Sequence, residues 1–230
     1  MTVTPSGDIA IADRQLQCVK VFTSFGSEKF QFGGDDVFTE PFSITTDSSG
    51  RFLVLDLQRK RVTLHEREDG TLVKDFDVSR VTRPKQITFS NGKMYVTDIE
   101  NAVIYIYIMK DNDVTFAAQL TSQSDKGGHF LECAGVCKDR YNNLLIADPK
   151  SDRIHCLEPH GNLSYIIAKG EHLLHPTCIA TSPSGLMAVA QWGLYIMENA
   201  EEEEDEECLE LEESTQGNHV CIYRIVRADI

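Results

Sequence analysis

Residues 41–64 read Pro-Phe-Ser-Ile-Thr-Thr-Asp-Ser-Ser-Gly-Arg-Phe-Leu-Val-Leu-Asp-Leu-Gln-Arg-Lys-Arg-Val-Thr-Leu. A proline opens the stretch and an alternating segment follows. Ser48-Ser49-Gly50 then supplies the small residues that a tight reversal needs, and a second apolar segment ends at Asp56. A polar loop leads into a third alternating segment beginning at Arg61. The turn residue and the residue that ends the second strand recur together as Gly7/Asp13, Gly50/Asp56, Gly92/Asp98, Asn142/Asp148 and Gly185/Gln191. Successive strand ends lie 43, 42, 50 and 43 residues apart, so one register runs through the chain with a single lengthened loop.

A period of roughly 40–50 residues with three or four short strands per unit is the pattern of a β-propeller, and the fold class is read as all-β. The first unit is expected to hold strands at Asp8–Asp13, Cys18–Phe22 and Lys29–Phe32, and the second at Phe42–Thr46, Arg51–Asp56, Arg61–Glu66 and Leu72–Phe76. The third is expected at Lys85–Phe89, Lys93–Asp98, Val103–Met109 and Thr115–Leu120, with the connection Thr121–Glu132 accounting for the long offset. The fourth follows at Ala134–Lys138, Leu144–Asp148, Arg153–Glu158 and Leu163–Ile167, and the fifth at Thr177–Thr181, Leu186–Gln191 and Val220–Val226. Residues 1–230 thus form one expected domain, in units of about 1–40, 41–83, 84–132, 133–175 and 176–230. The first unit enters partway through its opening strand and the fifth stops after its third. The expectation is a six-bladed ring with its first and last blades incomplete here and more of the repeat upstream. A repeat array lacking neighbours should be marginally stable or associate through its open edge.

The composition, 230 residues of which 41% are hydrophobic, is enough for a core. No segment approaches the roughly 18 apolar residues of a membrane helix, and the N-terminus has neither a basic start nor an apolar stretch, so the reading is a soluble, cytoplasmic protein with no membrane partner. The 7 cysteines are odd in number and fall mostly in expected strands (Cys18, Cys137, Cys156, Cys178, Cys221), which points to reduced thiols packed in a core. The formal charge is −14, but 11 acidic residues between Glu198 and Glu213 carry most of it and leave the body near −3. Such a block of like charge is read as a solvated, disordered insertion at about 198–217.

The repeated pattern Pro-x-x-Ile, Gly-x-apolar-x-Val-x-Asp, then Arg-Val resembles NHL repeats, known from the C-terminal propellers of tripartite-motif ubiquitin ligases. Pro41, Gly50, Asp56 and Arg61 carry it best. The fourth unit keeps Asp148 and Arg153, and the third keeps Pro84, Gly92 and Asp98 but has Val103 at the basic position. The first unit has Cys18 there, and the fifth has Gln191 in place of the aspartate. The resemblance implies a six-bladed recognition domain whose ligase activity, if any, belongs to a RING segment. No clustered Cys/His pattern here supplies one, so no enzymatic activity is expected of this chain.

Asp56 with Arg61, and Asp148 with Arg153, bracket a short loop between adjacent antiparallel strands, and each pair is expected to tie its loop as a salt bridge. With the strands of a unit named a to d, the b–c loops and the d-to-a connections share one rim. That rim is expected to gather Arg59, Lys60, Arg61, Arg80, Arg83 and Lys85, and also Lys150 and Arg153, along with Lys169, His172 and His175 in the connection into the fifth unit. Such a basic rim suits a protein partner or ligase substrate, or alternatively RNA held through its phosphates. The acidic insertion leaves a b–c loop on the same rim and is placed to screen those cations as a polyanion mimic. Similar propellers also include a zinc-dependent amidating lyase and calcium-binding lactonases, which makes a metal-dependent enzyme the second alternative. His129, His172 and His175 are its candidate ligands. The Cys133/Cys137 spacing lacks a second thiol pair, His155-Cys156 lacks an orienting third residue, and Trp192 reads as strand-end packing. No cofactor, no metal and no small-molecule substrate are expected.

Overall fold

Every regular element among the described residues is a strand, and within each sheet the strands lie in sequence order, each hydrogen-bonded to the next. A computed structural model describes residues 1–121, 130–157, 173–182 and 184–191, together with the backbone of 163–169, 192 and 218–224. The acidic insertion, His129, His172 and the Thr121–Glu132 connection beyond its ends lie outside the described residues.

The first sheet contains β1 (Thr2–Val3), β2 (Ile9–Asp13), β3 (Cys18–Phe22) and β4 (Glu28–Gly33). The second contains β5 (Pro41–Thr46), β6 (Phe52–Asp56), β7 (Arg61–His65) and β8 (Leu72–Asp77). The third contains β9 (Pro84–Ser90), β10 (Lys93–Asp98), β11 (Val103–Lys110) and β12 (Asp113–Thr121). β13 (Gly135–Lys138), β14 (Leu144–Asp148), β15 (Arg153–Leu157) and β16 (Leu163–Lys169) form the fourth, and β17 (Pro176–Thr181), β18 (Leu186–Trp192) and β19 (Asn218–Arg224) the fifth. By contacts the chain divides into two compact units, Met1–Leu120 with three sheets and Thr121–Ile230 with two.

The second strand of a sheet explains why Phe-Leu-Val-Leu-Asp is apolar throughout rather than alternating. All five residues of β6 are buried. Phe52 and Val54 join Ala10, Val19, Val21, Phe32, Phe38 and Ile44 in the core between the first two sheets. Leu53 and Leu55, on the opposite face, join Val62, Leu64, Phe76, Ile87, Met94 and Val96 between the second and third. A strand covered on both faces reads as a continuous apolar run. β14 repeats the arrangement in the other unit, where Leu145 and Ala147 pack with Ile154, Ile179, Met187 and Val189. Each fully buried Leu contributes about 1.5–3 kcal/mol relative to exposure.

Adjacent sheets approach closely at the turns. Gly70, at φ 74°, leaves room for Phe32 of the neighbouring sheet, whose ring a Cβ there would overlap. No disulfide links the described cysteines. No helix among the described residues is long and apolar enough to cross a membrane.

Candidate functional site

The strand-ending aspartates organise the rim. Asp56 accepts the backbone N–H of Thr39 at 2.7 Å and of Glu40 at 3.2 Å, in the connection that precedes β5, and that of Arg59 at 3.1 Å in its own loop. Asp98 does the same for Thr82 (2.8 Å) and Arg83 (3.2 Å), with Glu100 and Asn101 from its loop. In the second unit Asp148 takes Leu131 (2.7 Å) and Glu132 (3.0 Å), and the Gln191 side-chain oxygen takes Leu174 (3.0 Å). In four of the five repeats one buried acceptor therefore ties the end of strand b to the incoming connection; in the first, Asp13 is only half-buried and accepts the Gln15 and Leu16 amides of its own loop. Burial alone would raise the carboxyls of Asp98 and Asp148. Hydrogen bonds from Asn101, Thr82 and Arg83 in the first case, and chiefly from His155 with the Leu131 amide in the second, hold both below the usual range.

This arrangement replaces the expected salt bridges. Asp56 and Arg61 are register partners across β6 and β7, but the Arg61 guanidinium bonds Asp75 at 2.8 Å and the Val37 carbonyl. Asp148 and Arg153 are likewise register partners, yet the basic group on Asp148 is His155, with Nε2 3.2 Å from Oδ2 and both side chains fully buried. The acceptors that matter to each aspartate are backbone amides, which have no side-chain signature in the sequence.

A second feature repeats. Each of the four described b–c loops ends on a non-glycine residue in the left-handed region: Gln17 at φ 51°, Lys60 at 46°, Ala102 at 51° and Asp152 at 50°. The kink turns the chain so that the next residue opens strand c. Carbonyls of Gln17 and Lys60 then accept N–H groups of the following connections, from Gly34 at 2.9 Å and Val78 at 3.0 Å.

Most of the cations expected on a basic rim are already engaged, each within its own unit. Arg59 donates to the carbonyls of Asp35, Asp36 and Val37 and to the Thr39 hydroxyl, all within 3.1 Å, so it laces a b–c loop to the preceding connection. Lys60 donates to the Thr82 carbonyl at 2.9 Å. Arg80 lies 4.8 Å over the Phe116 ring and Lys85 4.7 Å over the Phe42 ring. Lys150 sits 3.4 Å from Glu132 in the second unit. Arg83 differs: Asp98 fixes its backbone N–H, while its exposed guanidinium has no ion pair or hydrogen bond among the described residues.

Arg83 opens onto a groove of ≈ 370 Å³ within the first unit. Arg14, Lys60, Arg83 and Lys85 supply four positive charges to its lining, against the single carboxylate of Glu40. Phe42, Leu57, Pro84 and Ile99 give it apolar surface. Arg14 and Glu40 bridge each other at 2.7 Å. In the second unit His175 is exposed, 3.9 Å from Asp152, and no cluster of three or more metal-ligating side chains occurs among the described residues.

No protein-family model and none of the curated proteins matches the chain. Solved structures do resemble it. A catalytically inactive virginiamycin B lyase from Staphylococcus aureus, with quinupristin, superposes with a TM-score of 0.63 at 16% identity, over 83% of this chain and 61% of that one. A streptogramin B lyase gives 0.64 at 15% identity, over 84% and 61%. A Bacteroides caccae protein of unknown function gives 0.58 at 12%, over 83% and 69%. The chain thus spans about three fifths of the lyases' length. At these identities the likeness shows the fold: the chain is a β-propeller, its four-stranded meanders being blades.

Proposed function

We propose that this protein is a non-catalytic recognition module of the NHL type that its sequence resembles, gripping a protein partner or ligase substrate at the groove of its first unit. The groove carries this reading. It combines apolar walls with an unengaged arginine, on loops fixed by Asp56 and Asp98, and rigid loops presenting a few polar groups are how propellers and other scaffolds hold ligands. A large nucleic-acid footprint is less well served, because a phosphate-binding face needs several cations free at once and here Arg59, Lys60, Arg80 and Lys85 hold carbonyls and rings.

The test is crosslinking in cells with protein and RNA recovered from the same sample, comparing the wild type with Arg83→Glu. A protein set that disappears on the substitution supports the module. RNA enriched in its place, or a protein set indifferent to Arg83, overturns the reading. The likeness to lyases favours a second function, turnover of virginiamycin B. Incubating the chain with that compound and following it by reversed-phase chromatography with fragmentation mass spectrometry decides it, since elimination within a ring leaves the intact mass unchanged: turnover overturns the non-catalytic proposal, and an unaltered chromatogram and fragmentation pattern supports it.

A further inference from the structure

The groove's engaged and unengaged groups together specify a ligand. Lys85 covers the face of Phe42, so that ring is closed to a stacking base. Lys60 is held by the Thr82 carbonyl, and Arg14 already carries the Glu40 carboxylate at 2.7 Å. What remains is one guanidinium, Arg83, beside the apolar surface of Leu57, Pro84 and Ile99, in a field of net positive sign. A phosphate dianion is best served by two or more converging free cations, whereas a carboxylate is satisfied by one planar guanidinium. Pockets that enclose a drug-sized molecule run roughly 300–1,000 Å³, so this groove takes one or two side chains and not a long surface.

Resting on the recognition reading, we propose that the groove is a carboxylate site for an extended peptide, in which one Asp or Glu docks on Arg83 and an adjacent aliphatic or aromatic residue lies against Leu57, Pro84 and Ile99. Arg14 with Glu40 closes one end as an internal copy of the same pairing. Lys60 and Lys85 contribute to the field without touching the carboxylate. The site therefore has one anchor, and substitutions across the rim should have unequal effects.

The experiment uses the intact chain, a fluorescein-labelled Ser-Gly-Leu-Glu-Phe-Ser peptide and its Glu-to-Gln analogue, with an eight-nucleotide uridine RNA as competitor, read by anisotropy. Binding of the acidic peptide should weaken about tenfold or more with the Gln analogue and by a similar factor with Arg83→Leu. The two changes combined should cost no more than either alone. Lys60→Met should weaken it less than Arg83→Leu. Equal affinity for both peptides, or additive losses, overturns the carboxylate assignment, as does displacement by the RNA. If neither peptide binds while the crosslinked proteins still depend on Arg83, the peptide inference fails and the recognition reading stands. If both are lost, the groove is not the site.

Discussion

The Asp56 carboxylate accepts the Thr39 N–H at 2.7 Å across 17 residues of chain. With the Glu40 and Arg59 amides, this fully buried carboxylate holds three part-buried backbone donors. Water replaces such part-buried bonds only incompletely, and each loss costs about 1 kcal/mol. Asp56→Ala should destabilise the chain by roughly 3 kcal/mol, and Asp56→Asn, which keeps one oxygen, by roughly half as much. Urea denaturation of both variants checks this; a loss below about 0.5 kcal/mol for the alanine would mean that the anchor is incidental.

Ala102 holds a left-handed backbone at φ 51° without the freedom of glycine. An L-residue in that region costs roughly 1–2 kcal/mol, partly offset on substitution by the greater entropy of glycine in the unfolded chain. Ala102→Gly should therefore stabilise by about 0.5–1 kcal/mol. Ala102→Val should destabilise by a larger amount, because branching at Cβ worsens the clash. The pair of melting curves separates local strain from a loop that tolerates anything.

The blades were legible because a strand buried on both faces leaves a continuous apolar run, and Phe52–Leu55 and Leu144–Ala147 recur in register with a turn before and an acceptor after. The meaning of the repeated aspartate was not legible, since its partners are main-chain amides upstream and every residue has one. Arg61 and Arg153 looked like its natural partners because they face it across the register. The sequence also put Arg59, Lys60, Arg80, Arg83 and Lys85 on one rim but could not separate them. Main-chain carbonyls engage Arg59 and Lys60, and the Phe116 and Phe42 rings engage Arg80 and Lys85, through backbone geometry and ring placement that the sequence does not display; the left-handed residue that closes each described loop is hidden for the same reason.

His65 is buried between the Phe32 and Phe38 rings, with Nδ1 donating to the Gly70 carbonyl and Nε2 2.9 Å from the Thr63 hydroxyl. Burial, reinforced by Arg61 and opposed by the Gly70 bond, holds it down to about 4. Because the folded state resists protonation, this contribution is complete above the ordinary histidine value near 6.5 and is lost as the pH falls toward 4. Between pH 7.5 and 5 the wild type should lose about 2 kcal/mol more stability than His65→Gln. Equal losses would show that His65 does not titrate in this window. The depressed carboxyls of Asp98 and Asp148 act at lower pH: their contribution is present above the ordinary aspartate value and disappears below it as they protonate.

Arg59 and Arg83 are both exposed arginines on the same rim, and they should respond to truncation in opposite ways. Arg59 makes four hydrogen bonds to the segment Asp35–Thr39, so Arg59→Met removes donors from three carbonyls and a hydroxyl that hold a blade junction together. Because water reaches that surface, the cost should be modest, about 1–2 kcal/mol and a lower melting temperature. The Arg83 guanidinium holds nothing among the described residues, and its backbone bonds to Asp98 and Ile99 survive substitution, so Arg83→Leu should leave the melting temperature within experimental scatter while weakening peptide binding about tenfold or more. A thermal melt and an anisotropy titration on each variant make the comparison. If Arg59→Met proves neutral in the melt and Arg83→Leu destabilising, the division between structural and recognition cations is reversed. The groove would then have to be rebuilt around Arg59.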